Sequence, residues 1–512
     1  VLGERYGWVP PEASLTPELK QAFPVLSSAA GRSATEIEIL HGVLGDPTQA
    51  RALFFERDPA WIETLPRGSR ADFVEDGEAR AKLNDLKAAI RKTGANLERY
   101  ARPEELGDKL QAALERILDE VFPEQQAPDA FTLAGRMHVA FARERRGLYV
   151  GGEPYLTKLD AWAARDGAQP LLVTGASGSG KSALLANWLA RRDGRLVFEH
   201  YRGASPESAE PMQLLRRLWE QLRRIADEQI PAPGDEQALL ATLPERLQQA
   251  AARAARDRQT LIIALDGLDR LASGADLRWL PEALPQNVRL LLSAIAAPAQ
   301  AASRGWATLE VKPLSDAQRR DFVARALQRM RKGLSDDRIA RIVGHPLASA
   351  PLFLKTLLQE LRVAGVHEQL DGRIQYYLTS RTLPELFSRF LERLERDCGA
   401  DLTRLACSLI WASRAGLEEA EIIAIAETTP SAWLALRTAL ADAVRDQDGR
   451  LAFDHDFIRQ ACAERYLREP GVERRLRFLL AEHMEALPPS PRQAEELAFQ
   501  YLETQDWGRL EL

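Results

Sequence analysis

The feature that most constrains the fold is an eight-residue loop at positions 175–182. It reads Gly175-Ala176-Ser177-Gly178-Ser179-Gly180-Lys181-Ser182 and matches the pattern G-x-x-x-x-G-K-[ST] without departure. A short apolar stretch at 171–174 precedes it, and a helical pattern at 182–189 follows. Glycines let backbone N–H groups point at phosphate oxygens, and a helix N-terminus adds partial positive charge. The loop therefore predicts a phosphate-binding strand–loop–helix.

The side chains of this loop predict a nucleotide and a cation. Lys181 is positioned to reach the β- and γ-phosphates, and the Ser182 hydroxyl to ligate Mg²⁺. We therefore expect ATP or ADP with Mg²⁺ as the bound cofactors, held by residues 175–182. The alternative is a Gly/Ser-rich loop with a chance lysine, which the flanking strand and helix patterns disfavour.

An acidic residue at the end of a second apolar stretch completes the expected site. Residues 261–265 are all apolar and lead directly to Asp266. A buried carboxylate is costly unless it is paired or bound to metal, so Asp266 is predicted as the second Mg²⁺ ligand. Asp269 could orient the attacking water as a catalytic residue beside Lys181, or be a solvated loop carboxylate. Ser293, at the end of the stretch 288–293, could sense the γ-phosphate or bond its own backbone.

The length and alternating patterns indicate a multidomain α/β and α protein. A chain of 512 residues suggests three or four domains. Strands that alternate with helices predict a parallel sheet, and a hairpin with Asp448-Gly449 at its turn follows several short helices, as in a winged helix. We expect an α/β domain at 1–123, a linker helix at 124–150, the P-loop domain at 151–310, a helical domain at 311–378, a winged helix at 379–470 and a helical region at 471–512.

Composition excludes several classes of partner. The net charge of −6 gives no global signal for nucleic acid. The three cysteines, Cys398, Cys407 and Cys462, form no CxxC pair, so neither a disulfide framework nor a structural zinc site is expected. No apolar run reaches the roughly 18–20 residues that span a bilayer. We expect a cytoplasmic protein. The absence of an initiator Met and the helical pattern at 507–512, which has no stop signal, suggest a fragment truncated at both ends.

The run Asp266-Gly267-Leu268-Asp269, with Phe-Asp-His-Asp-Phe at 453–457, resembles the NACHT family of STAND ATPases. The similarity is closest to the nephrocystin and telomerase-associated group and covers roughly residues 135–512. It implies a P-loop domain, a helical domain, a winged helix and then helical, TPR-like repeats. It also implies that His455 contacts the β-phosphate of ADP in a closed form and that Pro351 packs near the base. Without the resemblance, His455 reads as a structural histidine and Pro351 as a helix-start proline.

Two positions depart from that family pattern. Many members carry an arginine in a glycine-arginine motif ahead of the P-loop, where this chain has Gly151-Gly152-Glu153. Many also have an arginine after the sensor serine, where Ala294 and Ile295 follow Ser293. The sequence therefore assigns no arginine to the γ-phosphate.

The N-terminal residues also carry a resemblance. The segments 4–10, 33–39 and 54–58 are similar to the TIR-like domain that is often fused ahead of such NACHT modules. Some TIR-type domains cleave NAD with a glutamate on a helix. Glu38 is the candidate for that role and Glu36 is next. The alternative is that each is a solvated acid at a helix start, where its charge interacts favourably with the helix dipole and has no catalytic role.

These observations favour a signalling ATPase switch with slow, regulatory hydrolysis. ADP would hold the closed form, and ATP would favour an open form that self-associates. An activating ligand, expected to be a protein, would be sensed by repeats beyond residue 512. The alternatives are a non-hydrolysing nucleotide-binding scaffold, an NAD-consuming effector regulated by the P-loop module and, more remotely, a small-molecule P-loop kinase.

Overall fold

The chain divides into two compact units, Val1–Pro128 and Asp129–Leu512. The computed structural model describes residues 2–44, 52–75, 77–93, 97–123, 128–167, 169–192, 196–270, 279–280, 283–363, 369–447 and 449–510. Asp448 of the predicted hairpin turn therefore lies outside the described residues.

The first unit is a small α/β arrangement. Two parallel strands, β1 (Phe54–Arg57) and β2 (Leu97–Tyr100), pair along their whole length, and Leu2 extends the β1 edge by a bridge to Glu56. Its core contains Leu2, Phe54, Leu86 and Ile90. The helices are α1 (Pro17–Ala22), α2 (Ala34–Ile39), α3 (Gly77–Lys92) and α4 (Pro103–Val121).

A five-stranded parallel sheet forms the centre of the second unit. Its strands are β3 (Leu171–Thr174), β4 (Val197–Tyr201), β5 (Leu261–Asp266), β6 (Val288–Ala294) and β7 (Ala307–Glu310), in the spatial order β4-β5-β6-β3-β7. Every residue of β5 and β6 is buried, as expected for strands covered on both faces. The predicted parallel sheet is confirmed. Because its strands run in one direction, Thr174, Asp266 and Ala294 lie at the same edge.

Helices cover both faces of this sheet. Side chains cap two of them: Asp129 accepts a hydrogen bond from Thr132 N–H, and Asp235 accepts one from Ala238 N–H. Apolar residues from the helices and the strands form two separate clusters, one containing Trp219 and the other Trp188. The helices are α5 (Ala130–Arg145), α6 (Glu153–Ala163), α7 (Lys181–Leu189), α8 (Pro211–Ala226), α9 (Glu236–Arg256) and α10 (Ala299–Ser303).

The remainder of the second unit is mostly helical, as predicted, and shares one continuous apolar core. The predicted hairpin is present as two antiparallel strands with a third, short strand beside them, in the order β8-β10-β9. The strands are β8 (Leu417–Glu418), β9 (Val444–Gln447) and β10 (Arg450–Phe453). The helices are α11 (Asp316–Met330), α12 (Asp336–Val343), α13 (Pro351–Val363), α14 (Leu370–Leu378), α15 (Leu383–Cys398), α16 (Ala400–Ala412), α17 (Glu419–Ile425), α18 (Pro430–Leu440), α19 (Asp456–Tyr466), α20 (Val472–Glu485), α21 (Pro491–Thr504) and α22 (Trp507–Leu510).

A buried ion pair joins three of these helices. Arg393 on α15 donates to both carboxylate oxygens of Glu360 on α13, at 2.6 and 3.0 Å, and Tyr377 on α14 donates to the same carboxylate. All three residues are buried, so each polar atom depends on the others for a partner. This network orients α13, whose first residue is Pro351.

In the described parts of the chain, no helix is both long enough and apolar enough to cross a membrane.

Two buried histidines attach α5 to the outer strand of the sheet. His138 Nδ1 on α5 accepts a hydrogen bond from Tyr201 N–H of β4 at 2.9 Å, and its ring lies 4.5 Å from that of His200. His200 Nε2 donates to Ser208 O at 2.8 Å, while its Nδ1 accepts from Arg217 at 2.8 Å. Burial, reinforced by the charge of Arg217, lowers the pKa of His200 to about 3 and that of His138 well below its ordinary value.

This arrangement predicts a loss of stability at mildly acidic pH. Both imidazoles are neutral in the folded protein, whereas in the unfolded chain they take up a proton near pH 6.5. The unfolded state therefore binds more protons between about pH 6.5 and pH 4, and the free energy of unfolding should fall by up to about 1.4 kcal/mol per pH unit for each histidine as the pH drops. Thermal melts at pH 7.0, 6.0 and 5.0 measure this slope.

His200→Gln is the matched variant, because its amide can still donate to the Ser208 carbonyl but does not titrate. Its melting temperature should change less between pH 7 and 5 than that of the wild type. Parallel profiles for the two proteins would show that His200 does not contribute to the acid sensitivity.

Candidate functional site

The phosphate loop joins β3 to α7, as predicted. Gly175, Gly178 and Gly180 adopt φ values of +151°, +79° and +96°, which side-chain-bearing residues rarely do. A Cβ at Gly178 would lie 3.2 Å from Leu352 Cβ, so the loop passes directly against the first turn of α13. Lys181 Nζ donates to the carbonyls of Gly175 and Ala176 at 2.7 and 3.0 Å. Its ammonium therefore lies over the loop whose N–H groups would hold phosphate.

A single cleft of about 770 Å³ contains most of the predicted site residues. Loop residues form one part of its wall and the carboxyl ends of the strands another. The predicted residues that line it are Ser177, Gly178, Gly180, Lys181, Ser182, Asp266, Asp269, Ser293, Pro351 and His455. Gly175, Ala176 and Ser179 belong to the same loop but do not line the cleft, and Ser179 Oγ is buried without a hydrogen-bond partner among the described residues.

Asp266 is held by two hydroxyl groups, one from the start of α7 and one from β6. Ser182 Oγ donates to Asp266 Oδ2 at 2.6 Å, and Ser293 Oγ donates to Oδ1. Ser293 Oγ in turn accepts from Gly267 N–H at 3.0 Å. Ser293 thus bonds across the sheet to Asp266 and Gly267, rather than to its own backbone. The sensor position and the expected metal position form one hydrogen-bonded group.

The Ser182–Asp266 pair fits the requirements of Mg²⁺. The carboxylate is buried, and among the described residues no basic side chain lies within 4.0 Å of it. A hydroxyl and a carboxylate that meet in a phosphate-binding cleft are hard oxygen ligands, and Mg²⁺ completes its coordination with phosphate and water oxygens. Ser182 and Asp266 would hold the ion, which would neutralise charge on the phosphates.

Asp269 lies in a short 3₁₀ turn, Leu268–Arg270, just beyond β5. Its Oδ1 accepts a hydrogen bond from Ile295 N–H at 3.0 Å, one residue past β6. The carboxylate is therefore held at the carboxyl edge of the sheet beside Asp266, where an attacking water would have to be placed.

Pro351 and His455 enter the cleft from the helical part of the unit. Pro351 is the first residue of α13, and His455 is the residue before α19. His455 Nε2 lies 3.2 Å from Asp454 Oδ2, and 27% of its side-chain surface remains exposed within the cleft. Burial, together with the nearby charges of Arg145, Lys355 and Arg445, lowers its pKa to about 4 against the opposing effect of Asp454. The imidazole is neutral at pH 7 in this arrangement.

An ionic cluster centred on Asp454 also lines the cleft and was not predicted from the sequence. Arg145, in the last turn of α5, donates to both oxygens of this carboxylate, and Arg445 on β9 lies 3.5 Å away. Both guanidiniums also lie over the Phe141 ring, at 4.5 and 5.6 Å from its centroid. Burial would raise the pKa of Asp454, but its interactions with the neighbouring His455 imidazole and with the charged Arg145 and Arg445 hold it well below its usual range.

Asp454 adjoins the histidine that the sequence singled out, yet nothing local identifies its partner. Arg145 is separated from it by 309 positions and sits in an ordinary basic helix end. A Cβ on Gly203, after β4, would lie 2.7 Å from Arg445 Nη1, so the hairpin also approaches the sheet closely. The cluster thus brings α5, the hairpin and the start of α19 together at one wall of the cleft.

Part of the cleft wall is apolar. Phe322, Ala326 and Met330 contribute from α11, Leu148 from the segment after α5, and Leu352 from α13. Flat apolar surfaces next to a few well-placed polar groups are typical of ligand sites. Pro351, the first residue of α13, lines the cleft next to Leu352.

Glu38 lies in the first unit, in α2, and it is exposed. The neighbouring candidate, Glu36, accepts hydrogen bonds from Tyr6 and, at 2.8 Å, from Arg32. Glu36 is therefore engaged in structural contacts, and the NAD-cleaving role of Glu38 stays a prediction.

Similarities to known proteins indicate the class of protein to which this chain is related. Residues 150–294 match the family model described as AAA ATPase domain. The whole chain is 26% identical to a TPR repeat-containing protein of Dictyostelium discoideum and spans 36% of it. It is 24% identical, over 94% of its length, to telomerase protein component 1 of Mus musculus, of which it spans 21%. Over 54% of its length it is 25% identical to human nephrocystin-3, again spanning 21%.

Among solved structures, a STAND protein with a tetratricopeptide repeat sensor from Pyrococcus horikoshii aligns with a TM-score of 0.39 and 13% identity, over 70% of this chain and 48% of that one. The family match and the geometry of the loop define residues 150–294 as an AAA-type P-loop ATPase domain. The expected similarity to nephrocystin and telomerase-component proteins is confirmed at low identity, over about a third or less of their length.

The Asp454 cluster predicts the effect of removing one charge. Asp454→Asn leaves Arg145 and Arg445 close together without their shared anion, and the loss of one partner from a buried ion pair costs about 3–5 kcal/mol. We expect a lower melting temperature and faster hydrogen–deuterium exchange in residues 130–146 and 444–456.

Glu144→Gln is the control, because Glu144 lies beside Arg145 and is largely exposed, with an ion pair of 3.4 Å. Exposed pairs contribute about 0–1 kcal/mol, so exchange in both segments should stay close to wild type. Equal exchange in the Asp454 variant and the wild type would contradict a role for the cluster in closing this wall.

Proposed function

We propose that the chain is the regulatory core of an ATP- and ADP-dependent signalling switch of the STAND type. It binds ATP with Mg²⁺, hydrolyses it slowly, and uses the nucleotide state to control self-association and an N-terminal TIR-like effector or adaptor domain. In this proposal residues 311–378 are the helical domain, 379–470 the winged helix and 471–512 the start of TPR-like repeats. The activating ligand is a protein sensed beyond residue 512.

One observation carries this proposal: His455, from the far end of the chain, lines the same cleft as the phosphate loop. An ordinary P-loop ATPase needs only the loop, the metal ligands and a water-orienting acid. Here α5, α13 and the segment before α19 enclose the site as well. A nucleotide held in this cleft would contact elements that must separate if the protein opens.

A switch requires that nucleotides bind the closed and open forms with different affinity, since tight binding alone shifts no equilibrium. His455 can supply that difference, because it meets the phosphates only while the elements are together. Its imidazole is neutral without a ligand, and a phosphate anion favours the charged form. ADP binding to the closed form would therefore strengthen a contact that the open form lacks.

This proposal predicts the nucleotide content and assembly of the purified protein. Acid extraction and chromatography should recover near-stoichiometric ADP from the wild type and none from Lys181→Ala. His455→Ala should release ADP faster and self-associate more, because the contact that favours the closed form is lost. Light scattering after size-exclusion chromatography measures the assembly.

His483→Ala provides the control, since His483 lies on α20 and is not part of the cleft wall. Unchanged ADP retention and an unchanged oligomeric state in the His455 variant would contradict the proposed switch. An empty wild-type site with rapid, steady turnover would indicate an ordinary ATPase.

Hydrolysis separates the switch from a nucleotide-binding scaffold. Asp269 is held beside Asp266 by Ile295 N–H, which supports a role in orienting water. Asp269→Ala should reduce the single-turnover rate of ATP hydrolysis by about 10²- to 10⁴-fold, the usual contribution of a general base, with little change in ATP affinity. Equal rates in the variant and the wild type would favour the scaffold, in which Asp269 is incidental.

A further inference from the structure

Lys355 is a basic residue of the cleft wall to which the proposed function assigns no role. It lies on α13, one helical turn after Pro351, and it is half-buried. Its side chain lines the nucleotide cleft. Across the parts of the chain that the structure describes, its ammonium forms no ion pair with a carboxylate within 4.0 Å and donates no hydrogen bond. An ammonium in such a position is stabilised by water or by a ligand.

Other basic residues of the cleft wall are engaged by protein groups. Lys181 donates to two carbonyls of its own loop. Arg145 and Arg445 share the Asp454 carboxylate. Arg362, two turns beyond Lys355 on α13, lies 3.4 Å from Asp442, and Arg329 donates to Gly147 O. The ammonium of Lys355 differs from these groups, because it faces the cleft without an anion of the protein beside it.

The position of Lys355 relative to the phosphate loop follows from its helix. Residues three and four apart lie on one face of a helix, so Lys355 shares a face with Leu352 and Pro351. Leu352 is the residue that approaches Gly178 of the loop. The same face of α13 therefore carries an apolar contact to the loop and, one turn further, the ammonium.

His455 interacts electrostatically with this ammonium from another element. Lys355 is among the charges that act on the His455 imidazole, after burial, Asp454 and Arg145. Lys355 and His455 thus lie close enough to interact, and both line the cleft that contains the loop. Two groups able to bind an anion face the same space from different elements, α13 and the segment before α19.

We infer that Lys355 is a phosphate-binding residue, whose ammonium binds the non-bridging oxygens of the terminal phosphate of the nucleotide in this cleft. The inference rests on the proposed nucleotide-binding function. It gives the helical part of the unit its own contact with the phosphates and supplies a cation that the sequence leaves unassigned after Ser293. Helix α13 would then lose this contact when the terminal phosphate leaves.

Calorimetric titrations of the full chain, first stripped of bound nucleotide, with ADP, AMP and a non-hydrolysable ATP analogue in the presence of Mg²⁺ test this inference. Lys355→Met keeps the aliphatic stem and removes the charge, and it should weaken binding of the ATP analogue by about 10- to 100-fold, as for a hydrogen bond to a charged group. If the ammonium contacts the β-phosphate, ADP binding should weaken as well. AMP, which has no β-phosphate, should bind as it does to the wild type. Lys355→Arg should retain most of the affinity that Lys355→Met loses.

Lys158→Met is the matched control, because Lys158 is exposed on α6 and does not line the cleft. It should leave all three affinities unchanged. A loss seen with both ADP and the ATP analogue assigns Lys355 to the β-phosphate, and a loss confined to the ATP analogue assigns it to the γ-phosphate. Either result supports the inference.

Wild-type affinity of Lys355→Met for both nucleotides, with binding abolished in Lys181→Ala, would overturn the inference and leave the nucleotide-binding function intact. An equal loss for AMP and ADP would also overturn it, because the defect would then not concern a terminal phosphate. If the wild type binds none of the three, the proposed function fails, and this inference fails with it. Lys355→Gln repeats the test if the Met variant melts below the wild type without ligand.

Discussion

The buried carboxylate of Asp454 holds together the elements that enclose the cleft. Arg145 reaches it from α5 and Arg445 from β9, while His455 follows it in sequence at the start of α19. An ionised carboxylate with 3% of its side chain exposed is stable only with such partners, so the ion pairs require these three elements to stay close. The cleft wall opposite the sheet therefore depends on charges from distant parts of the chain.

The cleft is built to hold an anion. At its sheet side, Asp266 is satisfied by the hydroxyls of Ser182 and Ser293 and remains available to a divalent cation. At its helical side, guanidiniums surround a single carboxylate, and the His455 imidazole stays neutral because burial and neighbouring cations disfavour its charged form. A polyphosphate with Mg²⁺, as in the proposed function, would complement both sides, because the metal would neutralise the acidic edge and the phosphates the basic one.

Much of the sheet side could be predicted from local patterns. A few neighbouring residues suffice to predict the loop at 175–182, the apolar strand before Asp266 and the strand before Ser293. Parallel strands then place their carboxyl ends at one edge of the sheet. The start of α13 at Pro351 and the hairpin at β9 and β10 follow from helix-start and turn preferences. The Arg145–Asp454 contact could not be predicted in this way, because an arginine at a helix end is common and its partner is 309 positions away.

The residue chemistry of the phosphate loop and the alternation of strands and helices were determined by the sequence itself, because the spacing of glycines and apolar side chains acts over a turn or a strand. Which basic residues face the nucleotide was decided only by the tertiary structure. Lys355 and Arg362 lie on the same helix, yet one faces the cleft without a protein anion and the other pairs with Asp442. That difference depends on how α13 packs against the loop and on the ion pair of Glu360 with Arg393. Such packing results from contacts between residues that are distant in the sequence, so a local pattern does not predict it.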